Sequence, residues 1–332
     1  MMSGRFDVAG IGNAIVDVIF PTTDDFLLRN GIAKSVMTLI DEFRAAHLMS
    51  LVQNARQVSG GSAANTMAGL ASFGAKGSFI GKVRSDPLGR RFAVDLKGAG
   101  VHFDTPMAEN SLPTACSLIA VTPDGHRSMS TFLGACRELT PDDIDPADIG
   151  AADILYIEGY LWDEPLSKAA IRKAVAAAKG AGRRVAFTLS DPFCVGRYRD
   201  DFLHLMRGDI DILFANEEEI KALFETDDFE SALKSAKSWR GIAALTRSEK
   251  GCVIVGQDGE VHVLPAERVA KVVDTTGAGD QFAAGFLYGL SHKQDLRTAG
   301  RLGAVAAAEV ISHYGARPEL SLQRRAHQLG LL

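Results

Sequence analysis

Residues 272–280 read Val272-Val273-Asp274-Thr275-Thr276-Gly277-Ala278-Gly279-Asp280, and a strongly apolar helical pattern, Gln281 to Leu290, follows. Glycines at a helix start leave backbone N–H groups free and let a ligand come close to the main chain. The helix dipole adds partial positive charge there. Such a turn suits a phosphate, and more so a phosphoryl group in flight, where one lost donor typically costs about 10²–10³ in rate. Asp280 stands beside it as an acceptor for a hydroxyl proton. Its helix-terminal place predicts a weak base, which a loose transition state with late proton removal tolerates. Taken alone, the spacing is equally that of an ordinary loop followed by an acid in a helix's first turn.

Outward from this turn, strand and helix patterns alternate. Ile154–Ile157, Arg184–Leu189, Ile210–Phe214 and Ile242–Thr246 read as strands, with helices at 165–179 and 217–224 and long helices after residue 278. Upstream, Val8 to Ile19 reads as a continuously apolar first strand, 62–73 as an alanine-rich helix and 88–97 as another. This alternation predicts an α/β fold, a mostly parallel sheet covered by helices. Ala115–Val121 and Arg127–Phe132, joined through Thr122-Pro123-Asp124-Gly125, read as a hairpin outside the alternation, as does a strand near Met37. They predict a small β-sheet inserted in one domain over 1–332.

The 332 residues are 46% hydrophobic and 23% charged, which argues for a folded chain, and a net charge of -5 argues against nucleic acid or an anionic membrane as partner. Cys116, Cys136, Cys194 and Cys252 form no C-x-x-C pair and predict reduced thiols. Arg5-Phe6-Asp7 before an apolar run reads as a first strand of a cytoplasmic protein rather than a signal peptide. Gly10-Ile11-Gly12 fails as a dinucleotide fingerprint, because the third glycine would fall at Ile15 and a helix should follow.

Asp274 to Asp280, with Ala284-Gly285-Phe286-Leu287, resembles the C-terminal signature of the PfkB, or ribokinase-like, kinases. The resemblance runs from about Phe6 to Pro318. It implies a three-layer α-β-α ribokinase-like fold with a β-sheet lid, here about 13–40 and 104–134. It also implies an anion hole at Gly277, Ala278 and Gly279 with Asp280 as catalytic base. Gly60-Gly61-Ser62-Ala63-Ala64-Asn65 resembles the N-terminal signature, which makes Gly60, Gly61 and Asn65 substrate-binding; alone, the two glycines would be a turn. Gly12-Asn13-Ala14-Ile15-Val16-Asp17 resembles the first strand, with Asn13 and Asp17 on the substrate, and a carboxylate suits two hydroxyl donors. Asn216 and Glu219 match a segment that orders Mg2+ through water near ATP; alone they read as a solvated helix start. Thr246, Ser248 and Gly251 match the nucleotide turn, and Thr276, Gly277 and Gly279 complete the ATP site. A K+ ion beside the anion hole would use Asp274 and Thr276. Ala306-Ala307-Ala308 and Gly315-Ala316 match the region lining the adenine pocket. Met67 and Arg84 depart from the family pattern, which has a small residue and a glycine there.

The resemblance is to the adenosine-kinase-like bacterial branch, and the implied reaction is phosphorylation of adenosine to AMP, a purine-salvage step. Met37 and Phe132 are the residues expected to sandwich a base. Glu158 matches a sugar-binding acid, which favours a ribokinase- or fructokinase-like activity as the alternative. Lys34, Arg127 and Arg137 would serve a phosphosugar. A non-catalytic nucleoside or sugar sensor is the reading from another class. The expected partner is a small molecule, the expected state a monomer or homodimer.

Overall fold

The chain is seen in a computed structural model describing residues 6–332; Arg5, with which the N-terminal reading opened, lies outside the described residues. Its strands are β1 (Phe6–Ile11), β2 (Ile15–Pro21), β3 (Met37–Leu39), β4 (Arg56–Gly60), β5 (Gly77–Ile80), β6 (Ala115–Val121), β7 (Arg127–Phe132), β8 (Ala152–Glu158), β9 (Arg184–Thr188), β10 (Ile212–Asn216), β11 (Ile242–Thr246), β12 (Cys252–Val255) and β13 (Val261–Leu264). Eight of them form one sheet in the order β13-β12-β11-β10-β9-β8-β1-β5. Pairing is parallel from β5 to β11, and β12 and β13 close the far edge as an antiparallel hairpin.

Alternate residues of the large sheet feed two separate cores. Val8, Ile154, Ala186, Ile212 and Ala244 pack with the helices Ser62–Ser72, Ala278–Ser291 and Leu296–Val310. Their neighbours Ala9, Leu155, Val185, Leu213 and Ala243 pack with Pro165–Gly180, Pro192–Gly208, Glu217–Phe224 and Phe229–Ser238. A period of two with both faces apolar is what a sheet covered on each side requires. The fold is the expected α-β-α arrangement.

A second, five-stranded sheet has the order β3-β7-β6-β2-β4 and contains the expected hairpin as β6 and β7. It draws on both expected segments and also on Arg56–Gly60. The continuous strand expected over Val8–Ile19 is two strands in different sheets. The break has a cause: the Gly12 N–H donates to Ile80 O at 3.1 Å, and the Asn13 N–H leaves the sheet for the Glu158 carboxylate at 2.7 Å. The short helices Asp24–Arg29 and Pro146–Gly150 and two longer ones had no counterpart in the sequence reading. Pro192–Gly208 carries a non-helical Tyr198 (φ -126°, ψ 22°) that interrupts its periodicity, and Phe229–Ser238 buries chiefly alanines.

The two departures from the family pattern have places. Met67 is fully buried, and a Cβ on Gly10 would meet its Cγ at 3.0 Å, so the long side chain fills the space a side chain at residue 10 would take. Arg84 makes a parallel bridge to Ala108, and its N–H donates to Thr114 Oγ1 at 3.0 Å.

Candidate active site

Parallel pairing puts the last residues of β1, β8, β10 and β11 along one edge, where ligands bind in open α/β sheets. Gly12-Asn13, Glu158, Asn216 and Thr246 all fall there, and Asn216 and Thr246 are register partners. The chain order reverses at β1, flanked by β5 and β8. Gly61 turns at this point with φ +97°, and a Cβ there would meet Asn13 O at 2.1 Å. Only glycine fits. The helix Ser62–Ser72 then starts beside β2 and carries Asn65 inward, 6% exposed.

That helix start meets the start of Ala278–Ser291. Ser62 Oγ donates to Asp280 Oδ1 at 2.7 Å, and Asn65 Nδ2 donates to Oδ2 at 3.1 Å. Burial raises Asp280 above the ordinary carboxylate range, against the lowering influence of those two bonds and of Arg317. The weak base expected from helix-end placement is therefore a stronger one, because desolvation opposes the dipole. Asp17 is pushed up to about 6 by burial, with Arg317 and Arg127 working against it and Asp280 adding to it. Gly60 lies against this acid: a Cβ there would come within 2.6 Å of Asp17 Oδ2.

The turn itself is open. Gly277 is the N-cap with φ +79° and makes no side-chain cap bond. The Ala278 N–H is taken by Thr275 O at 3.2 Å, while the N–H groups of Gly277, Gly279 and Asp280 have no protein acceptor among the described residues. The free donors are thus Gly277, Gly279 and Asp280, with Ala278 a spacer whose N–H serves the turn. Space above Gly279 is open, whereas a Cβ on Gly277 would strike Ala316 Cβ at 2.6 Å.

Asp274 holds this turn in place. Its Oδ1 accepts from Thr276 N (3.1 Å) and Thr276 Oγ1 (2.7 Å), and its Oδ2 accepts from Gly315 N (2.9 Å). Arg127, on β7 of the small sheet, pairs with Oδ2 at 2.7 Å and reaches Thr276 Oγ1 at 3.3 Å. This donor set does not fit a K+ ion bound through the Asp274 side chain, because a guanidinium already holds the carboxylate and the Thr276 hydroxyl is turned towards it. The other two cations expected to serve a phosphosugar are also engaged, Lys34 with Asp24 and Asp124, Arg137 with Glu164.

At the end of β10, Asn216 and Glu219 form a closed capping box. Asn216 N and Nδ2 donate to the Glu219 carboxylate (2.9 and 2.6 Å), and Glu219 N donates back to Asn216 Oδ1 (2.8 Å). Glu219 is 6% exposed and pushed up to about 7 by burial, with Asp191 adding to it. Both Glu219 oxygens are engaged by Asn216, so this pair offers Mg2+ no direct ligand; with Asp191 near, it fits only an ion that keeps its own waters. Ser248 and Gly251 both take positive φ (51° and 86°) in the tight turn after β11, and the Thr246 side chain ends that strand.

Two expected substrate residues are placed apart from this cluster. Glu158 is fully buried, its oxygens accepting from Asn13 N (2.7 Å) and Ala63 N (2.9 Å), so it ties β1 to the helix 62–72 from below. Burial pushes it up to about 7 despite those bonds. On the small sheet, register and alternation put Met37, Leu39, Met129, Ile119, Ile19 and Asp17 on one face. Phe132 falls on the other face and is 7% exposed, so it does not face Met37.

Two residues were not legible beforehand. Gln281 Nε2 donates to Asn65 O (3.0 Å) and Ala316 O (2.9 Å), joining three segments. Arg317 reaches Asn65 and Ser59 from near the chain's end. Both are long-range contacts of single side chains, for which the sequence carries no local signal; the Gly315-Ala316 match pointed only to the neighbourhood.

Residues 31–322 match the family model described as pfkB family carbohydrate kinase. The chain belongs to this family. It is therefore a phosphotransferase with a hydroxyl acceptor, and ATP is the donor the family implies. Among solved structures, a probable sugar kinase from Rhizobium etli CFN 42 is 48% identical with TM-score 0.91, covering 99% of this chain and 100% of its own. The adenosine kinase from Sinorhizobium meliloti is also 48% identical, with TM-score 0.90 and coverage of 98% and 99%. An uncharacterized sugar kinase from Archaeoglobus fulgidus is 33% identical over 253 residues, 76% of this chain and 98% of its own. Among the described residues no helix is long and apolar enough to cross a membrane.

Proposed function

We propose that this pfkB kinase transfers the γ-phosphoryl group of ATP to the primary hydroxyl of a ribonucleoside, with adenosine as the acceptor and AMP as the product. The observation that carries the reading is the small-sheet face that bears Asp17. It presents Met37 and Leu39, 49% and 59% exposed, on the same side as the acid. An acid for ribose hydroxyls beside exposed apolar side chains suits a sugar that carries a base. The 48% identity to the Sinorhizobium meliloti adenosine kinase supports the same acceptor. A free-sugar acceptor is the second reading, because the Rhizobium etli probable sugar kinase is equally similar. The internal bonds of Glu158 remove the sequence argument for it, and the pairing of Lys34, Arg127 and Arg137 argues against a phosphosugar.

In this reading Asp17 and Asn65 hold the acceptor. The raised carboxyl of Asp280 takes the hydroxyl proton, matched to that task better than an ordinary aspartate. The free N–H groups of Gly277, Gly279 and Asp280 meet charge developing on the transferred group. Mg2+, in reach of Asn216 and Glu219 through water, would neutralise phosphate charge when bound. The small sheet acts as a lid over one kinase domain, and the four unpaired cysteines suit a cytoplasmic setting. ADP release measured across nucleosides, ribose, fructose and fructose phosphates tests the acceptor. Adenosine should give the highest kcat/KM; faster turnover of a free sugar would overturn it.

A further inference from the structure

Arg317 carries a consequence for the same site. Its Nε donates to Asn65 Oδ1 at 3.2 Å and its Nη1 to Ser59 Oγ at 2.6 Å, while Nη2 is buried without a partner. The backbone just before it is pinned, because Gln281 Nε2 holds Ala316 O at 2.9 Å. A guanidinium has donors only, so it dictates which end of the Asn65 amide faces it. The oxygen must turn to Arg317. The NH2 group is then left for Asp280, which it reaches at 3.1 Å. A flipped Asn65 would instead set an oxygen against the carboxylate and favour its protonated form.

We propose that Arg317 is a positioning residue of the phosphoryl-acceptor site: by fixing the Asn65 amide it presents an N–H donor to Asp280, and its buried charge balances Asp280 and Asp17. The inference rests on the proposed role of Asp280 as the base. The electrostatics agree with the geometry. Burial lowers Arg317 to about 10, so it remains a cation at neutral pH, and it draws both acids down against desolvation. The other charged and titratable groups around them are Asp17 on β2, Arg127 on β7, Tyr156 and Glu158 on β8, and Asp95 on the helix Pro87–Gly98. Of these only Arg127 is another cation, and it is committed to Asp274.

The test compares Arg317→Met, which removes donors and charge, with Arg317→Lys, which keeps the charge. R317M should lower kcat about 10²-fold on whichever acceptor the wild type uses, leave KM for ATP unchanged, and move the acid limb of the kcat profile to higher pH. R317K should return the acid limb towards wild type and recover part of kcat; a merely structural role would leave the two variants alike. Carbon-13 carboxyl NMR of Asp280, assigned against D280N, reads the same effect without turnover, and the resonance should titrate at higher pH in R317M. Should R317M fail to fold, R317Q takes its place with the same expectation. A wild type that phosphorylates nothing in the acceptor panel defeats the proposed function and leaves the NMR arm to decide Arg317. An unchanged Asp280 titration in a folded charge-free variant overturns the proposal.

Discussion

Two helices begin on the ligand edge of the large sheet, and they begin differently. At Asn216 the first turn is closed: side chains and backbone of residues 216 and 219 satisfy one another. At Gly277 the first turn is open, with a left-handed glycine as cap and three N–H groups left without acceptors among the described residues. The closed start needs only residues three apart. The open start is held by Asp274 just before it, by Arg127 of β7 and Asn65 of the helix Ser62–Ser72, and by its own Gln281, which bonds Asn65 O and Ala316 O. A closed turn stabilises a helix by itself. An open one leaves N–H groups without protein partners and free to meet an anion.

The contrast can be broken most severely at Gly277. Valine there would clash with Ala316 and force a β-branched residue into positive φ, so kcat should fall by at least about 10³ in steady-state assays. Retained turnover would mean that the open geometry is dispensable. Asp17→Ala tests the acceptor side alone. Loss of a charged hydrogen-bond partner worth about 2 kcal/mol should raise the acceptor KM roughly 30-fold with KM for ATP unchanged.

The closed start is sharpened by pH. Glu219 and Glu158 hold their protons up to about 7, above the ordinary 4.5, so between those values the folded chain binds more protons than the unfolded one. Stability should therefore fall as pH rises through that window. Glu219→Gln keeps an oxygen for the Asn216 N–H, gives up the bond from Asn216 Nδ2 and removes that titration, so its melting temperature should drop less between pH 5.5 and 8, by about 2 °C. An identical pH dependence in the variant would count against a buried, raised Glu219. The smallest effect concerns the cation. Exchanging KCl for NaCl should alter kcat by no more than about twofold, since the Arg127 guanidinium already serves the buried Asp274. Strong activation by K+ would show that Arg127 leaves that carboxylate.

The same division separates what the sequence disclosed from what it hid. The Asn216–Glu219 segment, the 122–125 turn and the glycines before Asp280 are local signals, and each lies where expected. The split of Val8–Ile19 was hidden because its cause is Glu158, 145 residues away from Asn13. Arg317 was hidden for the same reason, lying 252 residues from Asn65. Met37 and Phe132 share the lid region, which is what suggests a base between them, but the register between β3, β7 and β6 sets them on opposite faces.

The central claim is that the open helix start with Asp280 is where the phosphoryl group moves. Asp280→Asn keeps the size of the side chain and an oxygen to accept from Asn65, its NH2 turning to the Ser62 hydroxyl, while removing the base. Measured with ATP and adenosine, its kcat should fall about 10²–10⁴-fold while the Kd for ATP stays at the wild-type value. Near-normal turnover in that variant would contradict the account.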